Sequence, residues 1–273
     1  MNLLKYKIQL LLALSALAIS CTEIIDINTQ KSEPELVIEA NLALNSHAEV
    51  AISKTIQLSD SNAFERIKTA SVELWDDKGN SEVLRVDNET GKYYGSQLKG
   101  KIDYNYKLII KIAGKTITAQ SKIPKLVPIK ALSLVNSVYP GAGKAPANTK
   151  ADFYEITVAY NDPVAEQNNY RVQLFLNKKP LGGIYVYDDK LNNGLENELN
   201  IVVFNESIKN GDTLLVEMQC IDQAMFNFYS SLGADGFRPN SSSPANPETN
   251  LVGALLGYFN AHTSEKQQII IEK

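Results

Sequence analysis

The period-two alternation that begins at Ala70 constrains this chain more than any other feature. Val72, Leu74 and Asp76 fall on one side and Glu73 and Trp75 on the other, the signature of a strand with one buried face. Asp77-Lys78-Gly79-Asn80 is a turn with glycine available for positive φ, and Glu82-Val83-Leu84-Arg85-Val86 reads as the returning strand. Asn88-Glu89-Thr90-Gly91 turns again into Lys92-Tyr93-Tyr94-Gly95. Tyr104 to Ile112 is a further strand, and Ala113-Gly114-Lys115 makes a tight hairpin into Thr116 to Gln120. Upstream, Pro34 opens the strand Leu36 to Leu42, and Ala48 to Ile56 follows. Such a chain must pair its strands and cover one face of the resulting sheet, which predicts an immunoglobulin-like β-sandwich over residues 34–124.

Ile123-Pro124 and Val127-Pro128 read as an extended connection, because each proline disfavours helix in the residue before it. A second unit is expected over 129–273. Its strands are Ile129 to Val138, Phe153 to Tyr160, Tyr170 to Leu176, Gly183 to Tyr187, Ile201 to Phe204 and Thr213 to Ile221, with a last strand at Lys266 to Ile271. One helix is expected near 222–232. Asp222 is its N-cap, Met225, Phe228, Tyr229 and Leu232 its apolar face, and Gly233 its stop. Tyr139 to Lys150 and Gly236 to Asn250 are long loops. The fold class is therefore mainly β: two β-sandwich domains, the first immunoglobulin-like, the second larger and carrying one short helix.

Only two cysteines are present, Cys21 and Cys220. Lys5 and Lys7 precede an apolar run from Ile8 to Ile19, about 12 residues and too short for a helix that needs roughly 20 to span a bilayer. This is the pattern of a secretory signal peptide over 1–20. Its end, Leu17-Ala18-Ile19-Ser20-Cys21, resembles a bacterial lipobox, which implies cleavage before Cys21 and lipidation of its sulfur, with palmitate-type acyl chains as the anchor. Residues 21–33 would be the lipidated tether. With Cys21 acylated, Cys220 is left as a buried, inert thiol on a strand, and the core alone must hold the fold. Losing Lys5 and Lys7 with no acid takes the formal charge from −4 to −6. An acidic surface argues against nucleic acid as a partner.

No catalytic motif emerges. There is no Gly-x-Ser-x-Gly elbow, phosphate loop or Cys–His pairing, and neither His47 nor His262 has a metal-type partner at useful spacing. Asp188-Asp189-Lys190-Leu191-Asn192-Asn193-Gly194 is acidic, but Lys190 and Leu191 stand where a calcium loop needs ligands. No metal, cofactor or catalytic residue is expected.

Ser243 to Phe259, with Pro244, Asn246, Pro247, Glu248, Thr249, Asn250, Gly253, Gly257 and Tyr258, is the most specific run in the chain. Together with Cys21 to Asp26, Glu35 to Glu39, Ser71 to Leu74 and Tyr187-Asp188-Asp189 with Gly194, it resembles the lipoprotein family catalogued as domain of unknown function 4249. The resemblance implies a lipoprotein of the bacterial outer membrane, facing the periplasm or the cell surface, with a TonB-dependent outer-membrane transporter as partner and a non-enzymatic accessory or binding role. The other readings are an envelope or polymer hydrolase with an unrecognised site and a structural or adhesin-like surface protein. The candidate contacts for a partner or ligand are Asn246, Asn250, Tyr258, Phe259, Asp188 and Asp189.

Overall fold

A computed structural model describes residues 33–56, 65–139, 151–204, 208–237 and 246–272; the expected signal peptide, Cys21 and most of both long loops lie outside them. Pro34–Lys273 forms one compact unit. Its first strands are β1 (Leu36–Ala43), β2 (His47–Lys54), β3 (Ser71–Asp76), β4 (Ser81–Val83), β5 (Arg85–Val86), β6 (Tyr93–Lys99), β7 (Asn105–Ile112) and β8 (Lys115–Lys122). Then come β9 (Ile129–Tyr139), β10 (Ala151–Asn161), β11 (Asn169–Leu176), β12 (Lys179–Pro180), β13 (Tyr185–Asp188), β14 (Glu196–Phe204) and β15 (Thr213–Ile221). Helix α1 (Gln223–Phe237), β16 (Leu251–Val252) and β17 (Leu256–Ile270) complete the chain.

The fold is mainly β. One nine-stranded sheet runs β12-β11-β15-β17-β1-β2-β6-β5, with β13 also on β11. A five-stranded sheet, β16-β8-β7-β3-β4, and a three-stranded sheet, β14-β10-β9, are the others among the described residues. Each core lies between two sheets. Ile38, Leu42, Ile52 and Phe259 of the large sheet pack with Val72, Leu74, Leu108 and Ile117 of the five-stranded one. Tyr170, Val172, Val216 and Met218 of the same large sheet pack with Tyr154, Ile156, Val158 and Ile201 of the three-stranded one. The result is two sandwiches sharing one long sheet.

The strand common to both is β17. Its first half pairs in parallel with β1, Val37 opposite Leu256 through Ala43 opposite His262. Its second half pairs antiparallel with β15, Cys220 opposite Thr263 through Thr213 opposite Ile270. The first sandwich therefore includes C-terminal residues: Leu251, Phe259 and Ala261 are buried in its core. The apolar stretch at Leu251 and the expected last strand at Lys266 are largely one fifteen-residue strand.

Side chains close both seams of the first sandwich. At one seam buried Glu82 of β4 accepts the backbone N–H groups of Ser96, Gln97 and Leu98 at 2.9, 2.9 and 3.0 Å. At the other, Asn250 substitutes for a missing strand. Its Oδ1 accepts the Phe259 N–H at 2.9 Å and its Nδ2 donates to the Phe259 carbonyl at 2.7 Å. Thr249 Oγ1 donates to the Gly257 carbonyl, and Ser121 Oγ accepts the Ala261 N–H at 2.9 Å. Residues 257, 259 and 261 are the ones whose backbone faces away from β1, so these bonds fill an edge that would otherwise be buried unpaired.

Three expectations are corrected. Glu82 to Val86 is not one strand: β4 joins the five-stranded sheet and β5 the nine-stranded one, and the chain crosses between them at buried Leu84. Gly233 does not stop the helix, which continues to Phe237. Leu232 is 41 % exposed, so the helix's buried face is Met225, Phe228 and Tyr229. Apart from these, the Ile123-to-Pro128 connection carries no helix or strand, and Ile123 and Val127 on it are buried.

Gly257 tests the β1–β17 pairing. It holds φ +111, and a Cβ there would stand 1.9 Å from the Ile38 carbonyl oxygen. Gly114, at φ +76 in an open hairpin, has nothing within 4 Å. Gly114→Ala should cost about 1 kcal/mol from the backbone conformation alone. Gly257→Ala should cost about 3 kcal/mol or more, because strand pairing must also give way. Denaturant midpoints of the two variants check this; equal losses would contradict the register.

Candidate functional site

The sequence-chosen residues separate into scaffold and surface. Asn250 is the edge cap described above, and Phe259 is fully enclosed in the first core, so neither reaches a partner unless the fold opens. Asp189 is buried and accepts the Asn168 N–H at 2.7 Å. Asp162 behind it takes the Tyr170 hydroxyl and the Gly194 N–H, so these carboxylates hold the 188–194 loop in shape. Asp188 is half-buried and pairs with Lys190 at 2.9 Å. Asn246 is exposed. His47 Nδ1 lies 3.1 Å from the Leu98 carbonyl. Cys220 is buried, accepts the Val127 N–H at 3.3 Å, and burial pushes its thiol pKa up.

Tyr258 leads to a different place. The face of the nine-stranded sheet turned away from both cores carries Glu39 and Asn41 on β1, Tyr258, Asn260 and His262 on β17, Glu217 and Gln219 on β15, and Arg171 and Gln173 on β11. Their alternation with the buried core positions and the strand registers fix this. Helix α1 lies on part of that face. Asp222 caps it, accepting the Met225 N–H at 2.9 Å, and with its other oxygen accepts the Ser121 hydroxyl at 2.6 Å and the Lys122 N–H at 3.0 Å. That ties the helix start to β8. Phe228 and Tyr229 then pack at a tilt on Tyr258, with ring centroids 5.1 and 5.9 Å apart.

Between helix and sheet lies a polar strip. The Arg171 guanidinium sits 4.0 Å from the Tyr229 ring centre and donates to Gln219 Oε1 at 3.3 Å. Among the described residues no carboxylate stands within ion-pair distance of it; Glu217 nearby is paired with Lys266 at 3.2 Å. Gln219 Nε2 reaches Gln173 Oε1 at 3.1 Å and His262 Nε2 at 3.4 Å. Since Gln219 Oε1 faces Arg171, its nitrogen donates, which places the His262 proton on Nδ1, toward the Asn260 carbonyl at 3.4 Å. Asn260 has no exposed surface, and neither its Oδ1 nor its Nδ2 has a hydrogen-bond partner. The Tyr229 hydroxyl is also buried, with the Tyr258 side chain as its polar neighbour but no partner at hydrogen-bonding distance. Four buried side-chain atoms are in that condition among the described residues, and three belong to this strip.

Sequence reasoning saw His262 and Tyr229 only as structural residues and passed over Arg171, Gln219 and Asn260. Their one signal was polar residues alternating with buried ones on three strands, which reads as a solvent-facing side until a distant helix covers it.

A family model described as Domain of unknown function (DUF4249) matches residues 22–268. The chain belongs to this family. No curated protein matches it. Among solved structures it aligns with a two fibronectin type-III domain segment from chicken tenascin at 10 % identity, covering 88 % of this chain and 100 % of that one. The TM-score is 0.22, too low to carry an argument about the fold.

In this DUF4249 chain, burial lowers the His262 pKa from its ordinary 6.5, and the positive charges of Arg171 and Lys266 act in the same direction. The folded protein thus keeps His262 neutral where the unfolded chain protonates it. Stability from this site is present above about pH 6.5 and is lost as pH falls through that value toward the lower folded one. Unfolding free energies of wild type and His262→Gln, measured from pH 8 to 5, should show wild type losing ground to the variant below about pH 6.5. A constant gap would show that His262 is not held neutral.

Proposed function

We propose that this DUF4249 protein is a lipid-anchored binding protein of the bacterial outer membrane, with a non-enzymatic accessory role beside a TonB-dependent transporter. The observation that carries the binding role is the strip under α1, where unpaired polar atoms are concentrated in an enclosed, aromatic-walled place. Each such atom costs about 1–3 kcal/mol when nothing answers it, so a fold that keeps three together is consistent with a site prepared for a ligand. The anchoring is supported by Lys5 and Lys7, the apolar run and the Ser20-Cys21 junction. Tethering suits such a role, because it sets a local concentration beside a partner that solution affinity alone would not reach.

Cells fed an alkyne analogue of palmitate should label the wild-type protein and not Cys21→Ser, which should leave the membrane fraction. Crosslinking in intact cells followed by gentle solubilisation should recover a barrel transporter with the wild-type protein. Recovery of the protein alone would remove the accessory role, and label on Cys21→Ser would remove the anchor.

A further inference from the structure

We propose that the strip between α1 and the sheet binds a small ligand with a single carboxylate, held by Arg171, and a neutral amide or hydroxyl group, held by Asn260 and Tyr229. The inference rests on the binding role proposed above and names the ligand's chemistry.

Arg171 supplies the reason for an anion. Its guanidinium lies over the Tyr229 ring and is held by Gln219 at one nitrogen, which leaves further N–H donors of a rigid fork without a carboxylate. A fork held over an aromatic ring matches the two oxygens of a carboxylate. Charge decides how much anion it takes. Glu217 is balanced by Lys266, Glu39 on the same face by Arg66 at 3.4 Å, and His262 is neutral, so Arg171 is the strip's net charge. One carboxylate balances it, whereas a phosphate dianion would leave excess charge in a poorly hydrated place.

Asn260 supplies the reason for the second group. Its amide offers one donor group and one acceptor, both buried and both unanswered, with the Tyr229 hydroxyl unanswered as well. An amide or hydroxyl on the ligand satisfies such a pair; a hydrocarbon does not. Tyr258 and Tyr229 form the wall between, and Arg171 is half-buried while Asn260 is fully enclosed, so the charged end of the ligand lies nearer the surface.

The test uses purified full-length protein in detergent, apart from any transporter, so that its failure and that of the anchored accessory role are separate results. Acetate, N-acetylglycine and L-glutamate are titrated against a chloride control, with N-acetylglycinamide as the uncharged analogue, and the thermal unfolding midpoint is followed. N-acetylglycine should raise the midpoint and N-acetylglycinamide should not. Arg171→Gln should weaken the effect about 10- to 100-fold. Asn260→Leu, which replaces an unanswered amide by a hydrocarbon of similar size, should raise the midpoint of the unliganded protein and weaken the response to N-acetylglycine. The proposal is overturned if none of the carboxylates raises the midpoint, if the uncharged analogue works equally well, or if Asn260→Leu lowers the unliganded midpoint.

Discussion

A strand that takes one neighbour along its first half and another, on the opposite edge, along its second leaves a buried half-edge that something must pair. In β17 the half-edge is at residues 257–261, and the pairing comes from side chains: Thr249, Asn250 and Ser121. Ser121 is itself held by Asp222, which also starts α1. One chain of hydrogen bonds thus connects the five-stranded sheet, the shared strand and the helix that roofs the polar strip. Without it, buried backbone groups at Phe259 and Ala261 would be left unpaired, each at a cost comparable to the net worth of several surface ion pairs.

The same arrangement explains why the strip exists. Because β17 serves both sandwiches, the side of the sheet away from their cores is continuous, and α1 covers only part of it. The helix rests on aromatic residues, Phe228 and Tyr229 on Tyr258, and these keep it beside the polar strip, where Gln219 and His262 bond to one another and the Asn260 amide stays unpaired. A core selected for stability alone would place hydrocarbon at Asn260; on the proposed binding role, the amide retained there trades stability for a contact with the ligand.

Most strands were legible because alternation is a local signal. Leu36 to Leu42, Ser71 to Asp76 and Tyr104 to Ile112 appear where the pattern puts them, and Ala113 and Gly114 adopt the positive φ of a two-residue hairpin. The split at Leu84 was not legible, because period two says which residues are buried and not which sheet buries them. Nor was the membership of Leu251 to Ala261 in the first sandwich, a pairing across more than 200 residues. Asn250 stood out in the sequence for its setting, yet its work is to complete an edge. Arg171 and Asn260 did not stand out, since only a covering helix makes polar strand positions unusual. Cys21 was read from local chemistry alone.

If β17 joins both sandwiches into one cooperative unit, native-state hydrogen exchange shows it most directly. The amides of Phe259 and Ala261, together with those of β7 in the first sandwich and β10 in the second, should all exchange with one free energy, equal to that of global unfolding. Exchange in two groups separated by more than about 1 kcal/mol, with β7 and β10 in different groups, would mean that the sandwiches open independently and would contradict the shared strand as the element that holds the fold.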